Sequence, residues 1–568
     1  MRVKIFHLFA GIGFIVLALG LLYLQVIRGG YYYNLSERNC IRIIPELACR
    51  GRIFDRSGQI LADSHLAFNV NFIPQELQDK TQAFNAVSKL LGREKYELIA
   101  RYHKNYNLAF APVPVARNIG KEKAIMLSAK NLDLPGVVVE LQPQRRYPEG
   151  LTAAHILGYL AEIDRRRLES LGVYGYKIRD IIGYSGIEGY LDYYLRGKDG
   201  GKQVQIDSRG RISRVLGISA PQDGKDVTLT INLKMQKVCD EFLQNKRGAI
   251  VILEPYSGQI LAMANSPGFD PGMFIRGDRR AVAGILNSKR SPLLNRATSQ
   301  AYPPGSIFKL VVALAALDSN KTSRFRTFLC NGSAKIGSGT FDCWDTHNIQ
   351  DLNGAITHSC NVYFYNLGLL AGADRLAEYA SKLGLGKPTD IEFFSEVNGF
   401  IPTRLWKKIA KHENWYDGDT ANFAIGQGYV LITPLQAARM IAVFANGGYL
   451  VTPHILRSVD NKEVLHPKAQ KLNINLNNIE IINAGLRAVV EDDSGTAHLL
   501  AELKLKVAGK TGTAQVQNKL AHGWFIGFAP YDQPKIAFCI LLENVGSSAV
   551  SVSVLKNILA KFKEEDLF

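Results

Sequence analysis

Tyr302-Pro303-Pro304-Gly305-Ser306-Ile307-Phe308-Lys309 runs directly into Leu310 to Leu317, an apolar stretch with no charge of its own. Pro303, Pro304 and Gly305 end any preceding element and set up a helix N-terminus. A helix that begins at Ser306 puts Ser306 and Lys309 on one face, because positions i and i+3 are neighbours. Burial of that helix disfavours the charged form of Lys309. A neutral amine beside a hydroxyl is a base that can activate a nucleophile. A Ser-x-x-Lys spacing recurs by chance in long chains, so its meaning depends on partners elsewhere.

Two later stretches offer such partners. Ser359-Cys360-Asn361 supplies a hydroxyl able to relay a proton between Lys309 and an amine, and an amide able to orient Lys309 or bind a substrate amide. Lys510-Thr511-Gly512-Thr513 supplies a positive charge and two hydroxyls, a set suited to a carboxylate. Gly512 has no side chain, so a ligand can approach that backbone closely. An oxyanion hole would use backbone N–H groups, those of Ser306 and Thr513.

The surrounding pattern predicts a fold for these three stretches. Gly248 to Leu253 and Gln259 to Ala264 read as strands around a Glu254–Gly258 turn. Helical patterns dominate from Ser306 to about Ala445. Strand patterns return at Leu505–Gln515, Gly523–Ala529 and Ile536–Leu542, and Ser548–Phe562 reads as a closing helix. Strands at both ends with helices between them imply one sheet built from both ends of an α+β domain.

The 568 residues suggest two to four domains at about 150 residues each. With 47% hydrophobic and 21% charged residues the chain is globular in composition. Its formal net charge of +17 suits an anionic membrane or cell-wall surface. No basic stretch with interleaved aromatics marks a nucleic-acid site, so nucleic acid is not an expected partner. Leu8 to Val26 is an apolar run of about 19 residues, near the ~20 that cross a bilayer. It is longer than a signal-peptide core and no small-x-small cleavage site follows it, so we read a single uncleaved anchor. Arg2 and Lys4 favour a cytoplasmic N-terminus. Tyr31-Tyr32-Tyr33 suits the membrane interface. Residues 1–27 are then a short tail and anchor, 28–234 an irregular α+β pedestal, and 235–568 the domain bearing the three motifs. Within the pedestal, Arg50–Ala62 reads as a hairpin, Gln75 to Lys130 as alternating helix and loop, Tyr190–Leu195 as a short helix, Arg196–Lys202 as a loop and Gln203–Ile206 as a strand.

Taken together and in this order, the three motifs resemble those of the class B penicillin-binding proteins, most closely the elongation-type D,D-transpeptidases. The resemblance extends over nearly the full length, through Arg50-Gly51-Arg52-Ile53-Phe54-Asp55-Arg56, Gly186-Ile187-Glu188, Gly426-Gln427-Gly428 and His522-Gly523-Trp524-Phe525-Ile526-Gly527. It implies a β-lactamase-like transpeptidase domain, an antiparallel sheet flanked by helices. It also implies an acyl-enzyme on Ser306, formed from a peptidoglycan stem peptide with loss of D-Ala and resolved by an amine of a second stem peptide. Lys309, Ser359, Asn361 and Lys510 would share the catalytic work, with Thr511, Gly512 and Thr513 binding substrate. β-Lactams would acylate the same serine. The implied setting is the inner membrane, with the catalytic domain periplasmic and a RodA-type glycosyltransferase and an MreC-type scaffold as partners. The alternatives are a septal transpeptidase, a D,D-carboxypeptidase or β-lactamase, and a β-lactam-sensing receptor.

Three of the seven cysteines, Cys330, Cys343 and Cys360, lie near these motifs with His347. Three thiolates and an imidazole form a tetrahedral zinc set. The spacing also resembles a metal site of some elongation-type members, although the Cys343–His347 loop is shorter than usual there. Such a zinc would be structural, fixing the loop ahead of Ser359; acyl transfer itself needs no cofactor. Asp342 and His358 are reserve ligands. Free thiols or a Cys330–Cys343 disulfide are the competing readings. Whether Cys40 and Cys49 pair is not decided by the sequence, while Cys239 and Cys539 read as buried apolar residues.

Overall fold

Every residue of Gly248–Leu253, Ile260–Ser266 and Ile536–Leu542 is buried, which requires a sheet covered on both faces. The computed structural model describes residues 2–106, 112–130, 134–178, 180–206, 212–319, 322–392 and 395–568. In it these strands form a five-stranded sheet in the order Ile260–Ser266, Gly248–Leu253, Ile536–Leu542, Lys519–Ala529, Ala508–Val516. All pairings are antiparallel. Two strands come from the start of the domain and three from its end, as the sequence pattern implies. Helix Pro434–Ala445, buried along its whole length, packs on the three central strands. Its start is set by Pro434 and by a reciprocal Thr433–Gln436 capping box. Helix Ser548–Glu564 contacts the same sheet and helix Leu233–Leu243.

The chain divides into two compact units. One comprises Met1–Gly51, Ser64–Gln144 and Arg196–Gly224, and the other Arg52–Asp63, Arg145–Leu195 and Lys225–Phe568. In the first unit, helices Lys80–Leu91, Lys95–Asn105 and Lys121–Ala129 occupy the stretch whose pattern alternates. Residues 107–111 of that stretch lie outside the described residues. These helices close on a small core of Phe72, Phe84, Val87, Leu98 and Tyr102. The strand expected at Gln203–Ile206 begins earlier, at Gly200. Its first residues are drawn out of the predicted loop by pairing with Ile41–Glu46, Gly201 opposite Pro45. Helix Lys4–Ile27 is long and apolar enough, at 24 residues, to cross a membrane.

In the second unit, the sequence features noted around Asp55 and at Gly186–Leu195 have local physical causes. The Asp55 carboxylate is buried and accepts bonds from the backbone N–H groups of Ser57, Gln59 and Leu233, which closes the hairpin turn. Glu188 is fully buried against Arg145 at 2.6 Å and accepts from the Tyr147 hydroxyl at 3.1 Å. The helix expected over Tyr190–Leu195 is two short turns, Gly186–Tyr190 and Asp192–Leu195. Asp192 accepts from Gly183 N and the Tyr176 hydroxyl, so its carboxylate serves the turn between them.

Between Ser306 and Ala445, where helical patterns dominate the sequence, the structure also contains short strands. Strands Phe328–Cys330 and Asn348–Gln350 pair, and Ser333–Ile336 pairs with Gly339–Asp342. Gly332 (φ +89°) and Gly337 (φ +60°) occupy left-handed turn positions that favour glycine and allow these hairpins.

Candidate active site

Gly305–Phe308 forms a 3-10 turn that continues as helix Lys309–Leu317, all nine residues of which are buried. Side chains i and i+3 eclipse in a 3-10 turn, so Ser306 and Lys309 share an edge. Gly305 adopts φ +57°, and a Cβ there would stand 2.7 Å from the Thr513 carbonyl oxygen. Only glycine lets the serine turn lie this close to strand Ala508–Val516. A Cβ on Gly512 would meet Ile307 at 2.9 Å and the Pro304 carbonyl at 3.1 Å, so both motifs need glycine at the same contact.

The turn is clamped from behind. Tyr302 exchanges two backbone hydrogen bonds with Ile432, and Gly305 N donates to Gly426 O at 2.9 Å. Trp524 Nε1 donates to Pro303 O at 3.0 Å. The Tyr302 hydroxyl donates to Glu543, which also pairs with Arg296 at 2.7 Å and Arg247 at 2.9 Å. Arg296 and Tyr302 are almost fully buried, so this network fixes the loop leading to Ser306.

Lys309 reaches the second motif. Its Nζ donates to Ser359 O at 2.7 Å and to Asn361 Oδ1 at 2.7 Å, and lies 3.3 Å from Ser359 Oγ. Burial lowers Lys309 to about 7, partly opposed by the nearby Cys343 and Cys360. Ser359 sits at φ +55°, a left-handed position that a non-glycine residue holds only when its surroundings impose it. That turn joins helix Leu352–Thr357 to helix Asn361–Ala371 and presents both acceptors to Lys309.

A cleft of about 780 Å³ is lined by Ser306, Ser359, Asn361, Thr511 and Thr513. All three motifs therefore meet at one opening. Lys510 lies fully buried on its strand, with Nζ donating to Thr511 O at 3.3 Å. Burial, and then the nearby Lys309, push Lys510 well below the usual ammonium range. A positive charge at Lys510, as read from sequence, is favoured only beside an anion. The Thr511 hydroxyl bonds that of Thr496 at 2.8 Å, and Thr513 Oγ1 donates to Ser548 Oγ at 3.2 Å. Thr496, Ser548 and Trp344 border the same cleft and were not singled out from sequence. The first two sit among other polar residues, Asp492-Asp493-Ser494 before Thr496 and Ser547 before Ser548, with nothing to distinguish them, and Trp344 stands out only as an aromatic residue between two metal-type ligands.

Cys330, Cys343, His347 and Cys360 converge so that one donor atom from each lies within 4.8 Å of every other. The hairpins explain this: Cys330 pairs with Asn348, directly after His347, while Cys343 follows strand Gly339–Asp342. His347 Nδ1 is 3.6 Å from Cys330 Sγ and 3.5 Å from Cys343 Sγ. Tetrahedral zinc with bonds of about 2.0 Å to nitrogen and 2.3 Å to sulfur requires donor separations of roughly this size, so the set fits a metal. Backbone N–H groups of Asn361 and Tyr363 point at the Cys343 and Cys360 sulfurs. The bond from Cys360, together with backbone N–H groups, lowers Cys343 to about 4, while Cys360 is raised as the partner that keeps the proton. His358 is not in the group; its ring nitrogens bond Gln350 and Ser494. Asp342 offers its backbone carbonyl to Tyr365 and Asn361. All seven cysteines are unbridged, and Cys239 and Cys539 are fully buried.

Comparison with known proteins agrees with this geometry. Residues 248–560 match the penicillin binding protein transpeptidase domain family, and residues 45–229 match the penicillin-binding protein dimerisation domain family. The chain is 31% identical to the peptidoglycan D,D-transpeptidase MrdA of Escherichia coli K12, over 96% of this chain and 91% of that protein. The Haemophilus influenzae protein of the same name is 32% identical, over 94% and 86% respectively. Among solved structures, a complex between penicillin-binding protein PBP2 and MreC from Helicobacter pylori matches with a TM-score of 0.82 at 28% identity, covering 93% of this chain and 99% of that one. A Pseudomonas aeruginosa PBP2 structure matches with a TM-score of 0.71 at 29% identity, covering 92% and 97%. A three-motif cleft at the edge of a five-stranded sheet, matched over nearly the whole length, has one reading: the chain belongs to the penicillin-binding protein transpeptidase family.

Proposed function

We propose that this chain is a peptidoglycan D,D-transpeptidase of cell elongation that works through an acyl-enzyme on Ser306. The observation that carries the reading is the double hydrogen bond from Lys309 to Ser359 and Asn361 at the cleft lined by Ser306. Ser306 Oγ attacks the carbonyl of the penultimate D-Ala of a stem peptide, and its proton passes to Lys309. Backbone N–H groups of Ser306 and Thr513 take the oxyanion. The amide C–N bond breaks, and Ser359 relays the proton to the departing D-Ala. An amine of a second stem peptide then attacks the ester, its proton passes through the Lys309–Ser359 pair to Ser306 Oγ, and the ester C–O bond breaks to free the Ser306 hydroxyl. Lys510, Thr511 and Thr513 receive the substrate carboxylate, Gly512 lets it approach, and Asn361 orients the peptide amide. No cofactor enters these steps, and β-lactams acylate the same hydroxyl.

Cys330, Cys343, His347 and Cys360 hold one zinc in this reading. When bound, the ion supplies a structural cross-link between the hairpins and the Ser359-Cys360-Asn361 turn. Residues 1–27 form an inner-membrane anchor, residues 28–234 a pedestal, and residues 235–568 the extracytoplasmic catalytic domain. The Lys4–Ile27 helix supports the anchor. A scaffold of MreC type and a glycosyltransferase of RodA type are the proposed partners; the Helicobacter pylori complex supports the first and a matching peptidoglycan synthase complex structure the second.

The purified full chain, given a pentapeptide donor and an amine-bearing stem peptide, should release D-Ala and form cross-linked dimer. D-Ala release without dimer would make it a carboxypeptidase, and no D-Ala release would overturn the proposal.

A further inference from the structure

Trp344 is 60% exposed, an unusual state for a tryptophan that borders a cleft. It is nevertheless held in place. Its Nε1–H donates to His358 O at 3.1 Å and to Ser359 O at 3.3 Å. Ser359 O is the same carbonyl that accepts from Lys309 at 2.7 Å. The indole and the His347 ring meet in a tilted, edge-type contact, centroids 5.0 Å apart. Cys343 on one side and His347 on the other tie the backbone of this segment into the thiol–imidazole group. Phe341 and Tyr365, rings 5.7 Å apart, line the same cleft. An ordered aromatic face thus stands open beside the proton-handling pair, where apolar area is costly to leave in water.

The geometry points to Trp344 as a specificity-determining residue that takes the aliphatic chain carrying the acceptor amine. This inference rests on the reading of the site given above. The attacking amine must surrender a proton to the Lys309–Ser359 pair, so the chain that bears it has to pass the side chain bonded to Ser359. An indole face there covers the methylenes next to the amine, and the aromatic ring also attracts any residual positive charge on it. The donor peptide is held through its carboxylate by Thr511 and Thr513 and depends on Trp344 only through the brace on Ser359.

The test uses the purified full-length chain in detergent with a fixed donor and a titrated acceptor stem peptide, alongside acylation by a penicillin. Trp344→Leu should raise the acceptor KM about tenfold, shift product from cross-linked dimer towards hydrolysed donor, and slow acylation by a much smaller factor. Trp344→Phe, which keeps an aromatic face but loses the Nε1–H, should restore most of the acceptor KM. Zinc content measured on each variant separates this effect from damage to the thiol–imidazole group. An acceptor KM unchanged in Trp344→Leu, or equal losses in acylation and transfer, would overturn the inference. Absence of a penicillin adduct on the unaltered chain would instead overturn the underlying assignment of Ser306.

Discussion

Lys309 and Asn361 are joined by a 2.7 Å hydrogen bond, and the same amine makes a second 2.7 Å bond to Ser359 O. A neutral amine has two N–H donors and one lone pair. These two acceptors engage both donors, so the lone pair remains for a hydroxyl proton. Burial lowers the amine to about 7, so a large neutral fraction exists near physiological pH, and the second motif that binds it lines the same cleft as Ser306.

Acylation should therefore follow the ionisation of Lys309. With its value lowered to about 7, the neutral fraction falls tenfold per pH unit below that point and saturates above it. The acylation rate constant should rise with pH to a plateau between about 7 and 8, rather than near the ordinary lysine value. Lys309→Met, which keeps much of the buried volume, should cost on the order of 10²–10⁴ in acylation and abolish this pH limb. Stopped-flow acylation by a chromogenic cephalosporin across pH 5–9 measures both.

Ser359 carries two separable properties, a hydroxyl and a left-handed backbone. Ser359→Ala should lose the relay and keep the strain. Ser359→Gly should lose the relay equally but relieve the backbone, giving a protein about 1 kcal/mol more stable than Ser359→Ala. Thermal unfolding and deacylation rates on the two variants check this. Equal stabilities would mean that the turn is not strained.

Metal content provides a third check. Elemental analysis of the full chain should find about one zinc per molecule. Cys343→Ser should lower it, and chelation should slow acylation because Cys360 lies between Ser359 and Asn361. Folded, fully active protein without zinc would contradict the assignment.

The Glu543 network is predicted to be structural. Glu543→Ala leaves Arg296, fully buried, without its counter-charge and frees the Tyr302 hydroxyl. Loss of one partner of a buried pair costs about 3–5 kcal/mol. Thermal denaturation should show a large drop in Tm, with Glu543→Gln intermediate because it keeps hydrogen-bonding capacity.

The sheet was legible because two of its central strands, Gly248–Leu253 and Ile536–Leu542, are short and apolar throughout, and the first is bounded by the turn residues Glu254-Pro255. The helix at Ser306 was legible because prolines and a glycine precede an unbroken apolar run. The hairpins of 328–350 were not: their strands have three or four residues and alternate too briefly to outweigh the surrounding helical pattern. The ligand group could still be named, since thiols and an imidazole declare their chemistry without their geometry. Trp344 was missed because what fixes it at the cleft is a pair of bonds to the His358 and Ser359 carbonyls, and backbone acceptors leave no mark in a sequence.

The central claim is that the Ser306 hydroxyl is the nucleophile served by Lys309. Mass spectrometry of the chain after exposure to penicillin tests it most directly. The account predicts one penicilloyl adduct, mapped to the peptide containing Ser306 and absent from folded Ser306→Ala. An adduct of equal yield in Ser306→Ala, or one mapped to another residue, would contradict it.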